Sequence, residues 1–341
     1  MSEPTGPGLD GPCFEDLAVG DRFDDVPALT LTDGHAALHQ AVLGSRLRLA
    51  LDRPLAERVL GPGPPLAHPA LVCDVAIGQS TLATRNVVAN LFYRGLQLAR
   101  APRLGDTLRT TTEVVALKQN RRRPGRRPTG LAVLRIETVD QLDRPVLGFW
   151  RCAMLPLRDA GAATGRDDDV DRIPSALDPT ALHAATAGWS LDGWRRTLPG
   201  RRATTAGARW QVGGDVVTSA PELARLTLNV ASVHHDAAAA GGRRLVYGGH
   251  TIGLAAAHAT RALPDLLTIV GWHRCDHLAP VHEGDTLTTE LTLERVDRPP
   301  LSAPAAASLA HLRAVVRATP AERNPVSATD VLDWRFVAAL A

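Results

Sequence analysis

Gly249-His250-Thr251-Ile252-Gly253-Leu254-Ala255-Ala256-Ala257-His258-Ala259 is the stretch on which the architecture turns. It contains no Asp, Glu, Lys or Arg, and small residues run through it almost without a break. A helix formed here has no polar face to offer solvent, so it must be enclosed on most sides. What can enclose it follows directly in the chain. Residues 266–277, 286–296, 307–319 and 328–337 read as strands, and alternation is plain from Leu287 to Leu293. That alternation predicts a strand buried on one face only.

The same pattern occurs earlier. Gly105-Asp106-Thr107-Leu108 opens one strand and Gly284-Asp285-Thr286-Leu287 opens another, 179 residues later. The apolar segment from His68 to Ser80 precedes that from Tyr247 to Ala259 by the same offset, and Leu134-Arg135 precedes Leu312-Arg313 by 178. Separate matches at nearly one offset imply a tandem duplication. Each copy reads as a short strand, a helical stretch (33–43; 220–228), a Gly/Pro-rich loop, a buried helix (69–81; 249–263) and longer strands. In the first copy these strands fall at 87–100, 107–118, 130–139 and 146–157. An antiparallel sheet wrapped round one enclosed helix is a hot dog, so the expected class is α+β, a double hot dog of two sheets each around a central helix. The expected division is an N-terminal repeat at 1–157, a linker at 158–200 and a C-terminal repeat at 201–341. Within the linker, strand patterns give way to Asp, Pro and Gly, with one short helix near 179–187.

Composition narrows the functional classes. The chain has 341 residues, 45% of them apolar, with 38 basic against 36 acidic side chains. That balance excludes a disordered chain and disfavours a dedicated nucleic-acid binder. No apolar run reaches the roughly 18 residues that span a bilayer, and Met1 to Cys13 lacks the basic and apolar regions of a secretory signal. Four scattered cysteines, Cys13, Cys73, Cys152 and Cys275, form no C-x-x-C, so a reducing cytoplasm is expected and a metal site is not. Lys118 is the only lysine, leaving Schiff-base chemistry almost no candidate. No G-x-S-x-G and no dinucleotide glycine fingerprint occurs.

The chemistry concentrates between Asn229-Val230-Ala231-Ser232-Val233-His234-His235-Asp236 and Arg243-Arg244-Leu245-Val246-Tyr247-Gly248-Gly249-His250. This segment resembles the MaoC-like, R-specific enoyl-CoA hydratases, whose motif is an acidic residue, a histidine five positions later, and a Val-His-Gly start to the enclosed helix. It is most similar to their two-repeat mesaconyl-CoA hydratase (β-methylmalyl-CoA dehydratase) branch, which Gly44-Ser45-Arg46 in the first repeat also resembles. The resemblance implies a hydro-lyase acting on a short, branched or dicarboxylic enoyl thioester. It places Asn229, His234 and Gly248 in catalytic roles, and Tyr247, Gly249, His250, Arg243 and Arg244 against substrate. Asn229 departs from the usual carboxylate. An amide can orient water but not take its proton, so the proton transfer falls to His234, whose imidazole titrates near neutrality. The N–H groups at a helix start suit a developing enolate oxygen.

The first repeat has Gly44 and Leu49 at the places of Asn229 and His234, so one site per chain is expected, built almost wholly by the second repeat, with the loop 52–68 helping to form the acyl pocket. His235 and Asp236 read as loop polar groups, and His273 and His277 as structural strand residues. Arg121-Arg122-Arg123-Pro124-Gly125-Arg126-Arg127 sits at a hairpin tip, as a solvated turn or a contact for coenzyme A phosphates. No separate cofactor is expected. The expected partners are an acyl-CoA or acyl-carrier-protein substrate and a second copy in a homodimer, with neither nucleic acid nor membrane. Two alternatives remain open, a dehydratase on carrier-bound acyl groups and a non-catalytic acyl-CoA-binding protein. A thioesterase lacks its carboxylate.

Overall fold

A computed structural model describes residues 11–197, 205–299, 306–321 and 327–341. Residues 1–10 of the leader reading and the expected junction at 200–201 lie outside them. Eleven strands form: β1 (Arg22–Phe23), β2 (Leu29–Thr30), β3 (Ala89–Leu98), β4 (Thr107–Gln119), β5 (Thr129–Val139), β6 (Pro145–Pro156), β7 (Arg209–Val216), β8 (Leu266–His277), β9 (Thr286–Asp297), β10 (Ser308–Thr319) and β11 (Thr329–Leu340). The helices are α1 (Asp33–Leu43), α2 (Arg48–Leu51), α3 (Arg53–Leu60), α4 (Pro69–Gln79), α5 (Pro179–Ala184), α6 (Asp192–Thr197), α7 (Ala220–Leu226) and α8 (Gly248–Ala262).

The two enclosed helices are α4 and α8. All eleven residues of α4 are buried, as are twelve of α8 from Gly249 to Thr260. This is the double hot dog that two helices almost without charge demand. One feature differs from the expectation of two sheets. The strand order is β1-β4-β5-β6-β3-β8-β11-β10-β9-β7, every neighbour antiparallel, with β2 added on β4. The two repeats therefore share one continuous sheet, joined where β3 meets β8 in the register Tyr93↔Cys275 and Arg94↔Arg274. Unpaired strand edges are exposed rows of donors and acceptors. Here each repeat satisfies the other's edge, which fixes their mutual orientation.

The segment 158–197 is more than a tether. Val170 joins Ala116, Val133 and Cys152 in a small cluster of its own, while Leu182, Leu191 and Trp194 enter the main core. The loop 52–68 holds α3, capped by Asp52, whose carboxylate accepts from the Leu55 N–H at 2.9 Å. It packs beside α6 and does not reach the acyl pocket assigned to it from sequence.

Candidate active site

The loop that carries Asn229 and His234 belongs to the second repeat but is held by the first. Gly78, in α4, lies so close to the Thr227 carbonyl that a Cβ there would overlap it. Thr81 Oγ1 accepts from the Val230 N–H at 2.9 Å, and the Arg85 carbonyl accepts from the Ser232 N–H at 3.0 Å. Leu228 is forced to φ +60° just before Asn229, a conformation costly for a branched side chain. The expectation of a site built almost wholly by the second repeat is thus corrected. The sheet joins the repeats edge to edge through β3 and β8, and α4 packs against the loop.

Asn229 is buried, and its Oδ1 accepts from the Ala231 N–H at 3.0 Å. That assignment leaves the amide nitrogen as the free donor. His234 ends a 3-10 turn and is also buried. Its Nδ1 lies 2.8 Å from the Leu245 carbonyl. A carbonyl only accepts, so Nδ1 carries the proton and Nε2 keeps its lone pair. Burial lowers the imidazole pKa to about 4, against the opposing Leu245 hydrogen bond, so the ring is neutral at pH 7. Gly248 is the first residue of α8, and its N–H has no acceptor within the helix. A Cβ there would meet the His277 ring at 2.7 Å, which is why glycine is needed.

These residues line one cavity of about 550 Å³, together with Tyr93, Arg151, Tyr247, Thr251 and His277. Tyr247 donates its hydroxyl to the Asp74 carbonyl at 3.0 Å, and its ring lies 5.7 Å from that of His234. Tyr247 therefore stands between the His234 imidazole and the first repeat. At its mouth the cavity shares Arg126 and Val88 with a groove of about 1080 Å³ lined by Lys118, Arg121, Arg123, Arg127 and Arg166. The arginine-rich hairpin tip is one wall of that groove.

Other residues singled out from sequence fall elsewhere. Gly249 faces Asp74, whose carboxylate occupies the space of its missing Cβ. His250 is buried with both ring nitrogens unpartnered and is absent from the cavity wall. Arg244 Nη2 binds Glu283 Oε2 at 2.7 Å, and Arg243 lies 3.8 Å from Asp285 in an adjoining cavity. Neither arginine lines the cavity of His234, because acidic residues near the start of β9 draw both outward. His235 Nε2 donates to the Asn229 carbonyl at 2.6 Å, so it braces the loop rather than idling on it.

Sequence reasoning missed several cavity residues, His277 and Arg151 among them. His277, read as structural, presents a buried Nε2 with no partner. Arg151 had a legible signal: Phe149, Arg151, Ala153 and Leu155 alternate on β6, which puts a guanidinium among core-facing residues. In the first repeat, Leu49 is fully buried and Gly44 caps α1. The equivalent crevice, between Pro69, Leu98, Ala185 and Ile269, holds only about 10 Å³. Leu177 and Leu182 of the connecting segment press on Gly271 beside it.

An antiparallel double hot dog with a histidine loop beside the second enclosed helix defines the class. No family model matches the chain. Over 98% of its length it is 51% identical to the whole of a conserved hypothetical protein from Mycobacterium tuberculosis, described as a double hot-dog protein essential for bacterial survival during infection, with a TM-score of 0.89. A putative MaoC domain dehydratase from Chloroflexus aurantiacus superposes with a TM-score of 0.84 at 24% identity, covering 98% of this chain and 99% of that one. The β-methylmalyl-CoA dehydratase of Chloroflexus aurantiacus is 29% identical over 301 residues, 84% of this chain and 82% of that protein. The chain belongs to the double hot-dog proteins; the MaoC domain dehydratase shares that fold.

Proposed function

We propose that this protein reversibly hydrates the double bond of an α,β-unsaturated acyl thioester of coenzyme A. The observation that carries the reading is His234, with Nδ1–H committed to the Leu245 carbonyl and Nε2 left to a cavity that opens at the first N–H of α8. In the hydration direction Asn229 donates its amide N–H to a water oxygen. The water attacks the β-carbon while Nε2 of His234 takes its proton. The π electrons move onto the thioester oxygen, where the Gly248 N–H and the positive end of α8 meet the developing charge. The imidazolium then returns the proton to the α-carbon, the carbonyl re-forms, and one water has been added. One residue thus serves as base and acid in turn.

The arginine-lined groove at the cavity mouth suits the phosphates of coenzyme A, since guanidinium groups bind such anions bidentately. The relative named β-methylmalyl-CoA dehydratase supports a coenzyme A thioester as substrate. The first repeat contributes to this cavity but carries no second site, because its equivalent crevice holds only about 10 Å³ and has no imidazole at Leu49. Absorbance of the conjugated enoyl thioester tests the reading across a panel of acyl-CoA and acyl-carrier substrates. Loss of the enoyl signal with the thioester intact is expected for the acyl-CoA series. Released thiol means a thioesterase, a response confined to carrier-bound substrates means a biosynthetic dehydratase, and tight binding without change means a non-catalytic protein.

A further inference from the structure

The first residue of α8 has a neighbour that the hydration mechanism leaves idle. His277 is the last residue of β8, pairs with Leu332, and shares the inward face of its strand with the buried Cys275. It lines the same cavity as His234, and its ring meets that of Tyr93 edge to face with centroids 5.7 Å apart. A Cβ on Gly248 would stand 2.7 Å from its Cε1 and 2.8 Å from its Nε2. In a helix both the Cα–Cβ direction and the backbone N–H lean toward the N-terminus. The Cε1–Nε2 edge of His277 therefore stands beside the line along which the Gly248 N–H points.

That edge is unsatisfied. Nε2 is buried and has no hydrogen-bond partner, a state that native structures seldom leave without a use. The surroundings favour an oxygen that becomes negative. No Asp or Glu lines the cavity. Arg151, only 3% exposed, donates to the neutral oxygens of Asn90, Ser80 and Thr84 at 2.7–2.9 Å. It has no acid partner among the described residues, whereas Arg94 and Arg274 both pair with Asp276. An unpaired positive charge in a cavity without anions stabilises a developing oxyanion. The same surroundings keep His277 uncharged. Burial brings its pKa to about 4; the Asp276 carboxylate opposes that shift, and the charges of Arg151 and His234 add to it. A neutral imidazole still has one N–H to donate, and held from ionising it can polarise a carbonyl without giving up the proton. A thioester oxygen has two lone pairs, of which the Gly248 N–H takes one.

We infer that His277 is a catalytic residue, whose Nε2–H donates to the thioester oxygen beside the Gly248 N–H and holds it more strongly as it becomes an enolate. No proton changes hands at that oxygen. The proton from water still passes through His234 to the α-carbon, and His277 stays neutral throughout. The inference deepens the hydratase reading and rests on it for the reaction, while the oxyanion site itself can be tested by binding alone.

Acetoacetyl-CoA provides that test, because its enolate absorbs in the near ultraviolet apart from the keto form. Bound to the native protein it should show a larger enolate fraction than it has free in the same buffer. His277→Phe keeps a flat ring against Gly248 and Tyr93 but has no N–H. It should lower the bound enolate-to-keto ratio about ten-fold or more, while calorimetric affinity for saturated butyryl-CoA changes by less than about two-fold. His277→Gln, which returns an amide donor, should restore part of the ratio. In turnover, His277→Phe should lower kcat for crotonyl-CoA about 10²–10³-fold with KM little changed. A native protein that binds acetoacetyl-CoA and leaves its enolate fraction at the solution value overturns the donor whether or not the variants fold. A native enolate ratio in His277→Phe overturns it too, and so does an equal loss of butyryl-CoA and enolate binding, which reduces His277 to a packing wall. In each of those cases hydration of crotonyl-CoA leaves the hydratase reading standing. An enolate signal that depends on His277, with no enoyl thioester hydrated, keeps the donor and removes the hydratase.

Discussion

In the proposed mechanism the protonation state of His234 sets the pH dependence of the reaction, and burial moves it well away from the ordinary value. An ordinary imidazole titrates near 6.5, whereas burial brings that of His234 to about 4. A histidine base works only when neutral. At pH 5 an imidazole with pKa near 6.5 is about 3% neutral and one near 4 is about 90% neutral, a difference of about thirty-fold in competent enzyme. The shift itself corresponds to roughly 3.4 kcal/mol disfavouring the charged ring. The expected profile of kcat/KM is therefore level from about pH 8 down to about pH 5, with its acidic limb centred near 4. The assay is the initial rate of enoyl-thioester loss after a short jump from a neutral stock, with residual activity checked on return to pH 7.5. His234→Ala should cost about 10²–10⁴ in kcat and abolish the limb. A limb centred near 6.5 in the native protein would refute the buried, desolvated base, and near-normal turnover in His234→Ala would refute its role altogether.

Gly78→Ala should lower stability by about 1–3 kcal/mol through overpacking against the Thr227 carbonyl, and should depress kcat more than it raises KM, because the loop it displaces carries Asn229. His235→Ala, silent if that ring were a mere loop group, should instead reduce kcat about five-fold, the worth of roughly 1 kcal/mol for the bond to the Asn229 carbonyl; full activity would show that the loop needs no brace. Arg123→Ala combined with Arg127→Ala should raise KM for an enoyl-CoA while barely altering that for the matching pantetheine thioester, and an equal rise would move the phosphates out of the groove. Asp74 sits 3.4 Å from His39 in the interior, and burial pushes its carboxyl well above the usual range. Its folded pKa exceeds its unfolded one, so the stability it contributes is complete below about pH 3.8 and is lost as pH rises through the folded value. Asp74→Asn, which removes that loss, should raise the melting temperature more at pH 8 than at pH 5; a uniform shift would show the folded-state carboxyl to be ionised at both.

Much of this protein is determined by sequence alone. Helices at Pro69–Gln79 and Gly248–Ala262, with one charged residue each, must be enclosed, alternating strands must each bury one face, and a repeat spacing of 179 residues means two copies of one unit. Those are local patterns of hydrophobicity and charge, and local patterns are what periodicity reads. Asn229, His234, Tyr247 and Gly248 were legible for a related reason: they lie within twenty residues of one another around one helix start, so the chain itself brings them together. Only the tertiary structure decided the rest. The pairing of β3 with β8 makes one sheet of two, and with it Arg151, Tyr93 and Asn90 of the first repeat come to the wall of the second repeat's cavity. Gly78 and Thr81 come to hold the loop of Asn229 and His234 from 149 residues away in sequence. Arg243 and Arg244, beside the motif in sequence, are drawn off by Asp285 and Glu283. A guanidinium on the inward side of a strand can be noticed in the sequence, but whether an anion meets it depends on which other segments pack there. That is a property of the assembled core, where the cost of an unpaired charge is set by all its neighbours at once.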